Sequence, residues 1–322
     1  MAHSRIDTET GGAIIVKYSG PDCLPGSRMP NTSALQDNPL RCYPSKWTQP
    51  GASTPLTDFF HKYVVTEVRE GDLVGGAPDV VRTYEYVGTP AWHYTDDDGL
   101  VKPEYRTWAG WRGYATVRVR TGDPATTRQT LTETLFLRGM HGDRLPSGTR
   151  PVTLPAVDVD NNGTTGDAGV DAPAVADDDA FAGLTRMSVT FNGPGGAEVS
   201  ATVSEPWQSA PTASRTIDGT TVHARYVDVA ATHTRVALDT DGGTRPAGWR
   251  TASTRTTFDD HGMPVETDDN GDDAVSGDET CRLTSYARNA SPDQGVWLTS
   301  FVARAALRPR LRPGQGRRPD GG

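Results

Sequence analysis

At 322 residues the chain has room for two ordinary domains or one extended one, and it is too long to be a peptide hormone or a mini-protein. Hydrophobic residues make up 35% and charged residues 23%, and 35 Gly with 24 Pro stay below the share that marks low-complexity disorder, so a folded chain with a thin core is expected. A formal charge of -9 argues against a general nucleic-acid binder, which needs basic surface to displace counterions from phosphate, and no apolar run approaches the roughly 18 residues that span a bilayer.

Residues 1–62 read as a proline-rich lead-in, with Pro at 21, 25, 30, 39, 44, 50 and 55, and continuous sheet is not expected there because proline cannot donate to a ladder. Cys23 and Cys42 fall in this segment, where a disulfide replaces missing core at about 3 kcal/mol of loop entropy. The competing reading leaves all three cysteines reduced. Residues 63–156 form a β-hairpin region: period-two patterns mark 63–69, 80–87, the run Ala115, Val117 and Val119 against Thr116, Arg118 and Arg120, and 130–137. Within it, Trp92, His93, Tyr94, Trp108 and Trp111 gather near Asp96, Asp97 and Asp98. These rings either pack between strands or, if exposed, stack on sugar faces.

Residues 157–182 are acidic, rich in Gly and Asn, and lack an aromatic residue before Phe181, which predicts a solvated, flexible linker or loop. From 183 to 303 the alternation resumes. Met187, Val189 and Phe191 alternate with Ser188 and Thr190, then Val199, Ala201 and Val203 with Ser200, Thr202 and Ser204, giving the clearest hairpin at 187–204. Further strands are expected at 221–229, 233–238 and 250–258. Residues 304–322 hold six Arg and one Asp with Pro309, Pro313 and Pro319, and read as a disordered basic tail. Since 28 of the 32 basic residues are Arg, the coding DNA is read as GC-rich, and the tail is either a frameshift product or a genuine basic arm. The fold class expected is all-β, built from successive antiparallel hairpins.

Motifs that carry chemistry are scarce. GxSxG, HExxH, GxxxxGK[ST], CxxC and a strand-borne GxGxxG are all absent. Asp158, Asp160 and Asn162 with Gly163 look like the start of a calcium loop, but its twelfth position is Gly169. Asp268, Asn270, Asp272 and Glu279 carry ligand types at positions one, three, five and twelve, but Asp273 replaces the turn glycine. Both are weighed as solvated loops first. The seven histidines show no metal spacing and none sits beside a plausible nucleophile; His223 and His233 fall in strand candidates that would be neighbours. Cys281 is left over, as a buried thiol or with a partner elsewhere. No catalytic, cofactor or metal residue is assigned.

The segments IDTETGGAIIVKYSGPDC (6–23), RCYPSKWTQPGASTPLTDFFHKYVVTEV (41–68), GGAPDVVRTYEYVGTPAWHYTDDDGL (75–100), WAGWRGYATVRVRTG (108–122), FLRGMHGDR (136–144), FNGPGG (191–196), TTFDDHGMPVETDDNGDDAVSGDETCRLTSYARN (256–289) and, weakly, VWLTSF (296–301) resemble the bacterial RHS/YD-repeat family, especially its secreted or wall-associated actinobacterial members, over about 300 residues. In a unit such as TTFDDHGMP, Phe258 would pack, Asp259 or Asp260 would accept turn N–H bonds, and Gly262 would supply the positive φ. The resemblance implies a spiral β-shell around a C-terminal toxin, so the chain is expected to be a non-catalytic scaffold fragment, partnered by the rest of the shell and the toxin. The alternative it leaves open is a wall-associated carbohydrate binder stacking glycan on Trp92, Trp108 and Trp111. Localisation follows the parent: secreted or wall-associated, but cytoplasmic for this piece alone, since residues 1–12 lack a signal peptide. The family's self-cleavage motif does not transfer, because Asp123 and Pro124 are followed by Ala125.

Overall fold

Period-two alternation of β-branched and polar residues runs along most of the chain, and strand follows strand. The computed structural model describes residues 4–95, 101–166, 170–217, 219–238, 248–291 and 296–309. Among them there are three single 3-10 turns and no α-helix. One antiparallel sheet contains β1 (Arg5–Asp7), β2 (Gly12–Tyr18), β5 (Val65–Asp72), β6 (Val80–Val87), β9 (Thr116–Thr121), β10 (Thr130–Phe136), β13 (Thr185–Phe191), β14 (Glu198–Gln208), β17 (Val227–Ala237), β18 (Trp249–Phe258), β19 (Pro264–Asp272), β20 (Thr280–Ser291) and β21 (Val296–Pro309), each bonded to the next in that order. The sheet is thus an open strip without crossovers, about 58 Å across at about 4.8 Å per strand. The other strands pair locally: β3 (Cys42–Trp47) with β4 (Leu56–His61), β7 (Ala91–Tyr94) with β8 (Trp108–Gly113), β11 (Thr153–Leu154) with β12 (Val175–Ala176), and β15 (Ala213–Ile217) with β16 (Thr220–Ala224).

Antiparallel order sends successive connections to opposite rims. One rim has short turns at 73–79, 122–129, 192–197 and 273–279. The other carries long excursions at 19–64, 88–115, 137–184 and 209–226, each holding one of the small strand pairs. No helix among the described residues is long and apolar enough to cross a membrane.

The two faces of the strip differ. On one, hydroxyl side chains line up across strands, Thr134 beside Ser188, Thr202 and Thr234. On the other, Leu135, Met187, Val203 and His233 form the corresponding row. Val159 and Ala172 pack on Val203 there, with Val157 and Met187 beside them. Toward the N-terminal half this face becomes a charge ladder: Lys17 to Glu67 at 2.9 Å, Arg120 to Glu85 at 2.6 Å, and Arg118 to Glu85 and Glu133 at 3.2 and 2.5 Å. Lys17 holds the Glu67 carboxyl below the ordinary range, and Arg120 does so for Glu85.

Four expectations are corrected. Residues 157–182 are mostly loop but not solvated throughout: 161–166 are exposed, whereas Val159, Asp171, Ala172, Asp177 and Phe181 are buried, and Val157 and Ala172 are bridged where the segment packs on the sheet. The lead-in does contribute continuous sheet, because β1 and β2 avoid every proline and Pro44 falls in the separate hairpin β3–β4. The stretch 221–229 divides between β16 and β17, and 233–238 belongs mostly to β17. The tail is strand as far as Pro309, since β20 supplies a ladder from Ser291 back to Thr280, with two register shifts, that overrides the poor propensity of an Arg- and Pro-containing segment; 310–322 lie outside the described residues.

On β21, Phe301 is 60% and Leu307 71% exposed, and nothing among the described residues pairs with the outer edge of this strand. Such an edge is a template for another strand. The chain is therefore expected to sediment as concentration-dependent oligomers, and Phe301→Lys with Leu307→Lys to shift it toward monomer. A monodisperse wild-type monomer at every concentration would contradict edge pairing.

Candidate functional site at the loop rim

The four excursions meet at one rim, and most side chains with unusual chemistry lie there. The first is tied by a disulfide between Cys23 and Cys42, whose Cα atoms are 6.1 Å apart and which are buried with Leu40. The second docks on it through Trp92, which is 2% exposed and donates its Nε1–H to the Leu40 carbonyl at 2.9 Å. Tyr43 lies 5.2 Å and Trp111 4.8 Å from Trp92 between ring centroids. Trp108 packs edge-on against Tyr94 and donates to the Arg144 carbonyl at 2.9 Å. Of the three tryptophans expected to stack on glycan, Trp92 is therefore sealed inside, and Trp108 and Trp111 are half-buried in ring pairs. The acids 96–98 lie outside the described residues. The exposed rings of this region are instead Trp47, Phe60 and Tyr63.

The third excursion is shaped by two buried aspartates. Asp177 accepts the backbone N–H groups of Arg138, Gly139 and Met140 at 2.7, 2.8 and 3.2 Å, acting as an anionic cap on a tight bend. Gly139 is required there: its φ is 68°, and a Cβ would stand 2.9 Å from that of Ala182. Asp143 accepts the Tyr94 N–H at 2.9 Å, which fixes the second excursion to the third, while its other oxygen has no hydrogen-bond partner among the described residues. Burial pushes the Asp143 carboxyl up. His93 donates from Nδ1 to the Tyr94 carbonyl at 2.7 Å and turns Nε2 toward Asp143 at 3.5 Å. Arg112 pairs with Asp179.

At the same rim the turn after β18 has the geometry that its sequence suggests. Phe258 stacks on Trp207 with centroids 4.5 Å apart. Asp259, and not Asp260, accepts the N–H groups of His261 and Met263 at 2.8 and 3.1 Å. Gly262 has φ 72°, and a Cβ would meet the Tyr226 ring at 2.7 Å. Burial raises the Asp259 carboxyl, but the Met263 and His261 N–H groups and Arg288 outweigh it and hold it below the ordinary range.

The two calcium-like acidic stretches are arranged differently in the structure. Asp268, Asn270 and Asp272 lie in extended strand β19, so they cannot wrap an ion; the carboxylates of Asp268 and Glu266 instead gather with Cys281. Burial, then Asp268 and Glu266, push the Cys281 thiol up to about 11, which keeps it protonated and inert. Asp158 and Asp160 come together with Asp171 rather than with a twelfth-position ligand, and Asp171 accepts the N–H groups of Val159 and Gly166, both at 2.9 Å or less. Gly169 lies outside the described residues.

His223 and His233 are not on paired strands, since β16 bonds β15 alone. Contrary to expectation, one histidine does lie beside a hydroxyl: Ser214 Oγ and His223 Nδ1 share a hydrogen bond at 2.7 Å across β15–β16. Both are exposed, and among the described residues no carboxylate bonds the other ring nitrogen, so the pair lacks the third group that orients a catalytic base. His233 is buried and donates to Glu205 at 2.7 Å. Burial raises the Glu205 carboxyl, but His233 and Arg255 hold it below the ordinary range. Compared with family models and with curated proteins, the chain matches none.

Two outcomes follow. Replacing Cys23 and Cys42 by Ala is expected to cost about 3 kcal/mol in urea unfolding, and an unchanged midpoint would show that the rim holds without its staple. Glu205 ionises more readily folded than unfolded, so its contribution is complete above the unfolded value near pH 4.3 and is lost as pH falls through the folded one. Glu205→Gln should therefore destabilise by about 1–3 kcal/mol at pH 7 and by clearly less at pH 3.5. An equal loss at both pH values would assign the effect to packing.

Proposed function

We propose that the chain is a structural segment of an RHS/YD-type β-shell, a scaffold that encloses or presents a toxin delivered between bacteria or at the cell surface. The observation that supports this best is the in-order pairing of thirteen strands into an open strip, with no second sheet closing it among the described residues. A strip that adds one strand and one turn at a time can be extended without changing the contacts already made, which suits a wall that must surround a client. The strand-turn at Phe258, Asp259 and Gly262 is the repeating element of such a wall, and the free edge of β21 offers the next strand a ladder.

The rim chemistry fits the same reading. Its buried aspartates accept backbone N–H groups and its aromatic residues pack on one another, as expected of a wall whose long connections must hold their shape. Carbohydrate recognition at Trp92, Trp108 and Trp111 has no comparable support, given how those rings are packed. Secretion or wall association belongs to this proposal through the parent protein.

Sequencing the genomic locus on both sides of the reading frame tests it. Further strand-turn units of the TTFDDHGMP type, in the same or a shifted frame, followed by a variable C-terminal region, are expected. Flanking DNA that encodes no such unit on either side would overturn the shell reading.

A further inference from the structure

Where three excursions of the loop rim meet, they enclose a cavity of about 340 Å³ lined by Gln36 and Asp37 from the first, Thr89 from the second, and Arg138 and Arg150 from the third. Most polar groups in its wall are already engaged. Asn38 donates to the Cys42 carbonyl at 2.7 Å and accepts the Leu40 N–H at 3.0 Å, and the Trp92 indole is bound to Leu40. The two arginines are different. Arg150 donates from Nη2 to the Gln36 carbonyl at 2.8 Å and to Asp37 at 3.0 Å, and its Nε–H is buried with no acceptor among the described residues. Arg138 makes one long bond, from Nη1 to the Thr89 carbonyl at 3.4 Å, and no carboxylate lies within 4.0 Å of its guanidinium among the described residues.

Arg138 and Arg150 therefore both line a half-enclosed space, and Asp37, which is itself mostly exposed, pairs there with Arg150. Burial weakens the hold of Arg138 on its proton, Asp177 opposes it, and the neighbouring Arg150 adds a smaller push in the same direction as burial. Guanidinium donors without acceptors are unfavourable, and a small anion beside Arg138 supplies the missing acceptors. A planar guanidinium matches carboxylate and phosphate oxygens through parallel N–H bonds, and a cavity of this size is at the lower end of ligand sites.

We propose that this cavity binds a small oxyanion, a phosphoryl or carboxylate group, between Arg138 and Arg150. The site is independent of the shell reading and would operate in the folded chain whatever its larger context. Arg138 is its dedicated ligand, since the fold makes little other use of its charge. Arg150 has a second, structural duty toward Gln36 and Asp37.

The test uses the full chain with inorganic phosphate and with acetate, each titrated calorimetrically against sodium chloride at matched ionic strength. Saturable binding of at least one anion in the millimolar range or tighter is expected, with a matching rise in melting temperature. Arg138→Gln should weaken it at least tenfold and Arg138→Lys less. Arg128→Gln, at the opposite rim, should leave it unchanged. Binding of phosphate alone would assign a phosphoryl ligand, and binding of both would assign any oxyanion of this size. Should Arg138→Gln fail to fold, the Arg138→Lys series carries the same comparison. No saturable binding of either anion below about 10 mM, or equal binding in the wild type and the Arg138 variants, would overturn the proposal.

Discussion

Each inner strand of the main sheet is bonded to its neighbours on both sides in the order β1 to β21, and that pairing decides where every other part of the molecule goes. Antiparallel order sends connections alternately to two rims. Connections at one rim are four to eleven residues long, while at the other the chain inserts whole hairpins at 19–64, 88–115, 137–184 and 209–226. Because the excursions leave from strands close together in the strip, they stand close enough to bond one another. Trp92 reaches Leu40, Asp143 reaches Tyr94, and Arg150 reaches Gln36. A sheet with crossovers would have scattered these loops over two faces and both ends.

A single open sheet leaves much of its surface in water, and the chain answers this in three ways. Over β13, β14 and β17 the segment around Val159 and Ala172 lies on the sheet and supplies a second layer. Over β2, β5, β6, β9 and β10, cross-strand ion pairs replace apolar packing on the same face. On the opposite face, threonine and serine rows keep the pleat populated with β-branched side chains while offering hydroxyls to solvent. The low hydrophobic content is thus compatible with order, since one residue in two along each strand is permitted to be polar.

The strands most legible in the sequence were those whose alternation is local. Residues 80–87 coincide with β6, and the hairpin around NGPGGAE is β13 with β14, because Val, Phe and Met alternate with Ser and Thr there. Elements fixed by partners far along the chain were not legible. The acids and Asn of β19 disfavour strand, and it is held extended by β18 and β20 on either side. The buried part of 157–182 depends on Val203, more than 30 residues away from Ala172, so its composition suggested a linker. At the rim, the cysteine pair and the turn at Asp259 could be read from spacing and glycine chemistry. The approach of Arg138 to Arg150, or of Asp177 to three amides, depends on how excursions fold back, and no local pattern announces it.

The excess of acidic residues has a structural origin in this arrangement. In a helical protein most backbone N–H groups are satisfied within the helix, but long connections between strands leave many amides without a partner on the ladder. Aspartate, with a short side chain and two acceptor oxygens, answers them one bend at a time. Asp72 serves Val74, Gly75 and Ala77; Asp177 serves Arg138, Gly139 and Met140; Asp259 serves His261 and Met263; Asp171 serves Val159 and Gly166. Asp-rich loops in such a chain therefore do not by themselves signal metal, since the backbone is their ligand. The same accounting singles out the groups that it leaves over. An aspartate facing amides is a satisfied acceptor, whereas an arginine at a loop junction without an acid or enough carbonyl groups is a donor in surplus, and in this rim that description fits Arg138.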